Sequence, residues 1–213
     1  MFISIDRPEY QNHAHLMREM FILRKRVFHD MLRWDVQVEG DIERDRYDDL
    51  GPSYLVWCDP GATTIYASLR MLPTTGPTLL FDVFHQTAPN IATLSAPSIW
   101  EATRSCVHAE NLARDFPHIS QGKAFGLLML AMVEWSVRYG IDTVIGNYEP
   151  RVSRLYDRAG MLFDELGRAD GFGEHPVCCG AFEMSERVLQ RMRAKQGVAA
   201  SVFHAGGNAL RAA

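Results

Sequence analysis

The sequence lacks the features that mark secreted, membrane-spanning and nucleic-acid-binding proteins. Its 213 residues include four cysteines without a CxxC pair, so neither a disulfide framework nor a zinc site is indicated. The net charge of −4 disfavours nucleic acid and anionic membranes as partners. Residues 1–20 carry no apolar core of a signal peptide, and the longest apolar stretch, residues 124–133, is too short to span a bilayer. We therefore expect a cytoplasmic protein with reduced thiols, no metal and no stable membrane association.

Two glycine-rich loops that bind cofactors are also missing. No strand is followed by GxGxG and a helix, which disfavours a methyltransferase. The stretch 120–126, SQGKAFG, precedes a predicted helix. It lacks the Gln/Arg-x-x-Gly-x-Gly/Ala spacing with which acetyltransferases hold the pyrophosphate of coenzyme A at a helix N-terminus. The sequence thus argues against tight binding of that pyrophosphate.

Hydrophobic periodicity predicts a single mixed α/β domain. With 47% hydrophobic residues, the chain can bury one sizeable core. The order of predicted elements indicates a mixed sheet with helices on both faces. We expect the domain to cover residues 1–196, with an irregular segment at 34–50 and a loose tail at 197–213. The predicted helices are 13–31, 122–139, 150–160 and 186–196, and the predicted strands are 53–58, 64–72, 98–107, 141–148 and 178–184.

One short segment combines the side chains that a pocket for a positively charged zwitterion needs. Arg24, Phe28, Trp34, Asp45 and Asp48 fall within 25 residues. Arginine can form a forked pair of hydrogen bonds with a carboxylate, aromatic rings attract a cation, and carboxylates hold an amine. Arg24 and Phe28 are four residues apart and should share one helix face. The alternative is that the carboxylates and arginines only tie this segment to the domain.

A second cluster lies in the predicted strand at 98–107. Glu101 and Arg104 differ by an odd number of positions and would point to opposite faces of a regular strand. Both can face one pocket only if a β-bulge or a strand end lies between 101 and 104, which we predict. Taken alone, the stretch fits an exposed ion pair beside a buried Trp100. Arg70 and Phe84 add one more cation and one more aromatic ring.

Together these residues resemble the signature of the acyl-homoserine-lactone synthases, the autoinducer synthases of quorum sensing. The resemblance covers roughly residues 15–195 and fits the long-chain alphaproteobacterial branch. It implies an N-acetyltransferase-like α-β-α sandwich whose mixed sheet splays between its fourth and fifth strands. The nine matching positions are Arg24, Phe28, Trp34, Asp45, Asp48, Arg70, Phe84, Glu101 and Arg104.

The resemblance also implies a reaction and a set of roles. The amine of S-adenosylmethionine attacks an acyl thioester, and its carboxylate then closes on the γ-carbon and expels methylthioadenosine. S-adenosylmethionine is a substrate, so no cofactor is expected. The implied catalytic residues are Glu101 as the first candidate for the base, Asp45 as the second, and Arg104. The residues expected to bind S-adenosylmethionine are Arg24, Phe28, Trp34, Asp45, Asp48, Arg70, Phe84 and Arg104.

The acyl chain and its carrier are assigned by the same resemblance. Gly146 stands where many synthases of 3-oxo products carry threonine, so we expect an acyl chain without a 3-oxo group. The segments ERDRYDDLGPSYLVWC, LPTTGPTLLFDVF and GRADGFGEHPVCCGAFEMS resemble the long-chain branch, which implies a chain of about C12 or more. The expected donor is acyl carrier protein, with acyl-coenzyme A as the less favoured possibility. Because that carrier is acidic, it requires a basic docking patch. The expected acyl pocket is Leu127, Leu130, Trp135, Val144, Gly146 and Phe182, and the expected docking residues are Arg151, Arg154 and Arg158.

Two other functions remain compatible with the fold. One is an N-acyltransferase of the acetyltransferase superfamily that uses acyl-coenzyme A. The other is a non-catalytic protein that binds acyl chains. The charged constellation disfavours the second, because an apolar lipid pocket does not need it.

Overall fold

The computed structural model describes residues 1–204 as one large sheet flanked by helices. The strands are β1 (Phe2–Ile5), β2 (Val38–Glu39), β3 (Ile42–Glu43), β4 (Ser53–Cys58), β5 (Ile65–Pro73), β6 (Ile99–Val107), β7 (Thr143–Tyr148), β8 (Phe163–Ala169), β9 (Val177–Glu183) and β10 (Phe203–His204). The helices are α1 (Ala14–Arg24), α2 (Leu79–Asp82), α3 (Ala109–Asp115), α4 (Gln121–Arg138), α5 (Ser153–Ala159) and α6 (Glu186–Gln196).

The large sheet has the order β10-β1-β4-β5-β6-β7-β9-β8 and mixes parallel with antiparallel pairs. Its central strands are covered on both faces, and β5 is buried from Ile65 to Leu72. Helix α1 packs on one face against Tyr54 and Val56. Helix α4, with twelve of its eighteen residues buried, packs on the other face against Leu55 and Leu69. This α-β-α arrangement confirms the predicted fold class.

The sheet opens between β6 and β7. These two strands pair in parallel only from Ile99–Thr143 to Glu101–Ile145. Beyond that point β6 continues to Val107 and β7 to Tyr148 without pairing to each other. They are the fourth and fifth strands of the large sheet in chain order, so the expected splay lies at the expected place. The gap joins the α1 face of the sheet to the α4 face.

A β-bulge turns Arg104 towards the α1 face. Arg70 on β5 pairs with Thr103 on β6, and the next pair is Ser68 with Cys106. Strand β6 therefore advances by three residues where β5 advances by two. The extra β6 residue coincides with a left-handed backbone at Arg104, where φ is +56°. The bulge thus begins at Arg104, at the end of the predicted interval of 101 to 104, because β6 stays in register through Thr103.

The C-terminal part of the predicted 13–31 helix changes winding. Helix α1 ends at Arg24, and Lys25–Met31 continues as a π-helix. The Leu32 N–H accordingly donates to the carbonyl of Val27, five residues earlier. π-helical turns occur often at functional sites because they redirect side chains within a continuous helix. Here the change of winding determines where Phe28 lies.

The expected irregular segment contains a β-hairpin. Strands β2 and β3 pair through Val38–Glu43 and Glu39–Ile42, so the loop between them has two residues. Its first residue, Gly40, has φ of +60°, which fits a hairpin turn with glycine at the first central position. A 3-10 turn at Arg46–Leu50 follows, capped by the Asp45 carboxylate, which accepts from Tyr47 N–H at 2.9 Å. The hairpin and the turn place residues 43–48 over β5 and β6.

The C-terminal segment is attached to the domain as far as it is described. We expected a loose tail from residue 197, but β10 pairs with β1 through Phe2 and Phe203. The cause is Glu134 on α4, which is buried and accepts from Ser201 Oγ at 2.8 Å, Val202 N–H at 2.9 Å and Phe203 N–H at 2.8 Å. Residues 205–213 of the predicted tail lie outside the described residues.

Several short elements were missed by the sequence pattern. These are β1, β8, β10, α2 and α3. Strand β8, FDELGRA, lies at the sheet edge and buries none of its residues fully, so it shows little alternation. Within residues 1–204, no helix is both long and apolar enough to cross a membrane.

Candidate functional site

Three arginines and three carboxylates form one ion-pair network on the α1 face. Arg24 donates to Glu43 at 2.6 Å and holds Asp48 through two bonds of 2.8 and 2.9 Å. Arg70 donates to Asp45 at 2.5 and 3.1 Å and to Asp48 at 2.9 Å. Arg104 completes the network through Glu43 and Asp45. Each charge has a partner of opposite sign, which compensates the cost of removing it from water.

Arg104 and Asp45 are the members of the network that face outwards. Arg104 donates to Glu43 at 3.1 Å and to Asp45 at 2.9 Å. Their side chains are 11% and 12% exposed, whereas those of Arg24, Arg70, Glu43 and Asp48 are at most 1% exposed. The network therefore has a buried frame and one accessible ion pair.

Neighbouring hydroxyl groups complete the buried frame. Tyr54 Oη donates to Asp48 at 2.6 Å, and Arg70 Nε donates to Thr103 Oγ1 at 3.0 Å. Burial by itself would raise the pKa of the Asp48 carboxyl. The hydrogen bonds and charge of Arg24, with the charge of Arg70, outweigh burial and hold that pKa well below its usual range. Asp48 is thus a fixed anion at neutral pH.

Two stacked aromatic rings border the accessible ion pair. The Phe28 and Trp34 ring centres lie 5.2 Å apart, and the Arg104 guanidinium lies 5.3 Å from the Phe28 centre. Phe28 is buried, while Trp34 is 40% exposed. An exposed indole beside an ion pair offers a surface on which a cationic ligand can pack.

Glu101 lies on the same sheet face but outside the ion-pair network. Its two carboxylate oxygens accept from the N–H groups of Leu79 at 3.0 Å and Leu80 at 2.6 Å, at the start of α2. The side chain is fully buried, and burial raises the pKa of Glu101 to about 7, against the opposing effect of these amides and of Arg70. Glu101 therefore positions α2 and can exchange a proton near neutral pH.

Phe84 is separated from the arginines by Tyr47. It packs with Tyr47, Leu72 and Leu79, and its ring meets that of Phe172 at 4.9 Å. Tyr47 in turn lies 5.6 Å from the Arg70 guanidinium. The structure thus gathers seven of the nine sequence-predicted residues around the network and its aromatic border, and places Glu101 and Phe84 beside it.

A small cavity lies on the α4 face at the gap between β6 and β7. Its volume is about 20 Å³, enough for about one water molecule. Three of the predicted acyl-pocket residues line it, whereas Leu127, Leu130 and Trp135 belong to the surrounding core. The strand residues that line the cavity are Ala102, Ser105, Val144, Gly146 and Phe182.

The predicted docking arginines lie on and before α5. Arg154 and Arg158 are exposed, and within residues 1–204 neither forms an ion pair. Arg151 pairs with Glu149 at 2.8 Å. The four basic residues of α6 are all engaged: Arg187 bonds Glu183, Arg191 bonds the Gly160 carbonyl, Arg193 bonds Glu134 and Lys195 bonds the Asp157 carbonyl.

Glu43 is the main site residue that the sequence did not reveal. It is fully buried and links Arg24 to Arg104. The available signal was Gly40-Asp41 between two short segments, which is typical of a two-residue hairpin and would have placed Glu43 on a strand. Within residues 1–204, no group of three or more His, Cys, Asp or Glu side chains is placed to hold a metal ion.

Comparisons with known proteins agree on one family. Residues 9–192 match the family model described as autoinducer synthase. An acyl-homoserine-lactone synthase from Rhizobium etli is 35% identical over 156 residues, which cover 71% of this chain and 69% of that protein. A second acyl-homoserine-lactone synthase, from Rhizobium radiobacter, is 27% identical over 100% of this chain and 99% of its own length.

Solved structures show the same fold. BjaI, a CoA-dependent acyl-homoserine lactone synthase solved with SAM and isopentyl-CoA, superposes with a TM-score of 0.82 at 23% identity, covering 97% of this chain and 93% of BjaI. An N-acetyltransferase-like protein from Lactobacillus plantarum gives a TM-score of 0.53 at 18% identity, over 86% and 99%. With a matching family model over most of its length, this chain belongs to the autoinducer synthase family and is an acyltransferase of the acyl-homoserine-lactone synthase type.

Proposed function

We propose that this enzyme joins S-adenosylmethionine to a long acyl chain delivered by acyl carrier protein. The observation that carries the proposal is the position of the gap between β6 and β7. The charged network lies on one side of the sheet, the apolar cavity lies on the other, and β6 contributes Arg104 to the first and Ser105 to the second. A polar amine and an apolar acyl chain can therefore meet at this gap.

The proposed reaction has two bond-forming steps. The ammonium group first gives one proton to the base. The neutral amine nitrogen then attacks the thioester carbonyl, the carbon–sulfur bond breaks, and the carrier thiol leaves with the second proton of the amine. The carboxylate oxygen of the same molecule then attacks its γ-carbon, and the carbon–sulfonium bond breaks. The products are the acyl-homoserine lactone and neutral methylthioadenosine.

The exposures suggest how the substrate-binding roles are divided. Arg104 and Asp45 are accessible, so we assign them to the carboxylate and the amine of S-adenosylmethionine, respectively. Phe28 and Trp34 would pack on its sulfonium or adenine, an attraction of about 1–2 kcal/mol for a partly desolvated cation. Arg24, Arg70 and Asp48 would act as the buried frame that holds the accessible pair. Phe84 would support this pocket through Tyr47.

Glu101 is the proposed general base. Each of its oxygens keeps a second lone pair, which can accept from the amine through a water molecule. Its pKa of about 7 allows it to take a proton at neutral pH. Asp45 is the second candidate for the base. It is accessible to the substrate, but its carboxylate already accepts hydrogen bonds from Arg70 and Arg104.

Glu101→Gln should lower kcat by about 10²- to 10⁴-fold if Glu101 is the base. A base works in its deprotonated form, so wild-type activity should rise with pH through about 7 and then level off. The variant should lose that rise, and Asp45→Asn serves as the comparison. Steady-state rates from pH 5.5 to 8.5 would check this. An unchanged pH profile with only a few-fold lower rate would assign Glu101 to holding α2 alone.

The carrier-protein docking surface is proposed to include Arg151, Arg154 and Arg158. Arg154 and Arg158 are exposed one helical turn apart, so they can meet an acidic partner together. BjaI, which has a similar fold, is a CoA-dependent acyl-homoserine lactone synthase. Acyl-coenzyme A is therefore the second candidate donor.

The double change Arg154→Glu with Arg158→Glu should raise KM for acyl carrier protein by about tenfold or more. It should leave KM for acyl-coenzyme A unchanged, because only the protein donor needs the surface. Arg18→Glu with Arg114→Glu gives the same charge change at two other exposed arginines. Equal KM values for acyl carrier protein in both double variants would place docking elsewhere.

The proposed activity itself is tested by mass spectrometry of lactones from a heterologous host that expresses the chain. We expect acyl-homoserine lactones of about C12 or longer, unsubstituted, unsaturated or 3-hydroxylated, as the resemblance implies. Short or branched acyl lactones as the main products would contradict the chain-length proposal. The absence of any lactone with either donor in purified enzyme would contradict the activity.

A further inference from the structure

An aromatic side chain, that of Phe182, forms part of the wall of the cavity at the β6–β7 gap. Phe182 on β9 is 2% exposed and pairs across the sheet with Val144. Its ring stacks on Phe163 with centres 5.0 Å apart and meets the Tyr156 ring at 4.6 Å. The ring thus lies in the cavity wall beside Tyr156, which also lines the cavity, and contacts Phe163, which does not.

Two glycines provide the space in which the Phe182 ring lies. Gly146 and Gly180 face each other across β7 and β9. A Cβ atom at Gly146 would lie 3.2 Å from Phe182 Cε2, and one at Gly180 would lie 3.1 Å from the same atom. A side chain at either position would thus press on the ring, so the two glycines leave the space that the ring fills.

Part of the remaining cavity wall is made of side chains that can adapt. Met129 and Met132 from α4, with Met161 after α5, line the cavity opposite the strands. Methionine is unbranched and flexible, and it adjusts to ligands of different shape. A cavity of about 20 Å³ cannot hold an acyl chain until some lining group moves. The methionines can shift in place, whereas the Phe182 ring is packed against Phe163 and Tyr156 and gives way less easily.

We propose that Phe182 is the residue that determines acyl chain length, because its ring lines the cavity and fills the space over the Gly146–Gly180 pair. This inference rests on the proposed function, in which that cavity receives the acyl chain. Longer chains bind by displacing the ring, and removing the ring opens the space above the two glycines. Phe182 is thus a specificity-determining residue that contacts the acyl end, remote from the reacting amine.

The test compares kcat/KM for sixteen-carbon and ten-carbon acyl donors in matched variants. Phe182→Ala should raise the ratio of the two values by about tenfold or more, since even one methylene in an apolar pocket changes discrimination by that order. Phe182→Leu should raise the ratio by a smaller factor. If Phe182→Ala does not fold, Phe182→Leu is measured in its place. Phe163→Ala is the control, because Phe163 contacts the Phe182 ring but does not line the cavity.

The possible outcomes separate the two proposals. A raised ratio in the Phe182 variants with an unchanged ratio in Phe163→Ala supports the assignment. An unchanged ratio in folded Phe182 variants, or an equal change in Phe163→Ala, overturns it while lactone synthesis stands. A wild-type enzyme that makes no lactone from any donor overturns the proposed function instead.

Discussion

Arg24→Ala should lower the free energy of unfolding by about 3–5 kcal/mol, the largest stability effect expected of any single change in the site. The side chain is almost fully buried and holds both Glu43 and Asp48. Its removal leaves two buried carboxylates with one cationic partner each and no water to compensate. Urea or thermal denaturation of the purified variant measures the loss.

Arg26→Ala is the matched control for this prediction. Arg26 lies two residues later in the same helical segment and pairs with Glu110 at 2.8 Å, but both side chains are largely in water. Exposed pairs contribute about 1 kcal/mol or less, so the variant should unfold almost as the wild type does. Equal losses in the two variants would mean that the buried network contributes no more than a surface ion pair.

Arg104→Ala should lower kcat/KM for S-adenosylmethionine by about 10²-fold or more. Arg104 is the accessible cation of the network, and a forked, charge-assisted contact with a carboxylate is worth about 3 kcal/mol when partly shielded from water. Without Arg104, Glu43 still accepts a hydrogen bond from Arg24, and Asp45 still accepts one from Arg70. The variant should therefore remain folded. Steady-state kinetics with S-adenosylmethionine as the varied substrate measures the effect.

Arg104→Gly separates the side chain's role from that of its backbone. The backbone at this position has φ of +56°, where alanine costs roughly 1 kcal/mol and glycine does not. The glycine variant should therefore be about 1 kcal/mol more stable than the alanine variant, yet equally inactive. Activity within about threefold of wild type in either variant would limit Arg104 to attaching the 38–50 segment.

The sequence was sufficient to predict the central elements of the fold. Strand β4 and helix α6 have the predicted bounds, and α4 differs by one residue at each end, because these elements have strong apolar patterns. The elements that pattern did not reveal are short or lie at the sheet edge, as in β1 and β8. Their positions depend on pairing with strands that are distant in the sequence.

The candidate site was predictable by residue type and less so by contact. The charged residues at 24, 45, 48, 70 and 104 can be grouped from the sequence, and their side chains form a single network. The partners of Glu101 were not predictable, because they are backbone N–H groups about twenty residues earlier. Every residue except proline has a backbone N–H, so the sequence does not indicate which of these groups donate to Glu101. Only the folded structure identifies them.

The pairing of β10 with β1 has a consequence for how the chain folds. Phe2 and Phe203 become neighbours although roughly 200 residues separate them, and such contacts form late because closing so long a loop costs entropy. Until β10 arrives, the outer edge of β1, a strand of four buried residues, remains available to strands of other molecules. Glu134 is buried beneath the closing segment and accepts its N–H groups. Its substitution should therefore favour aggregation during refolding more than it slows turnover of the folded enzyme.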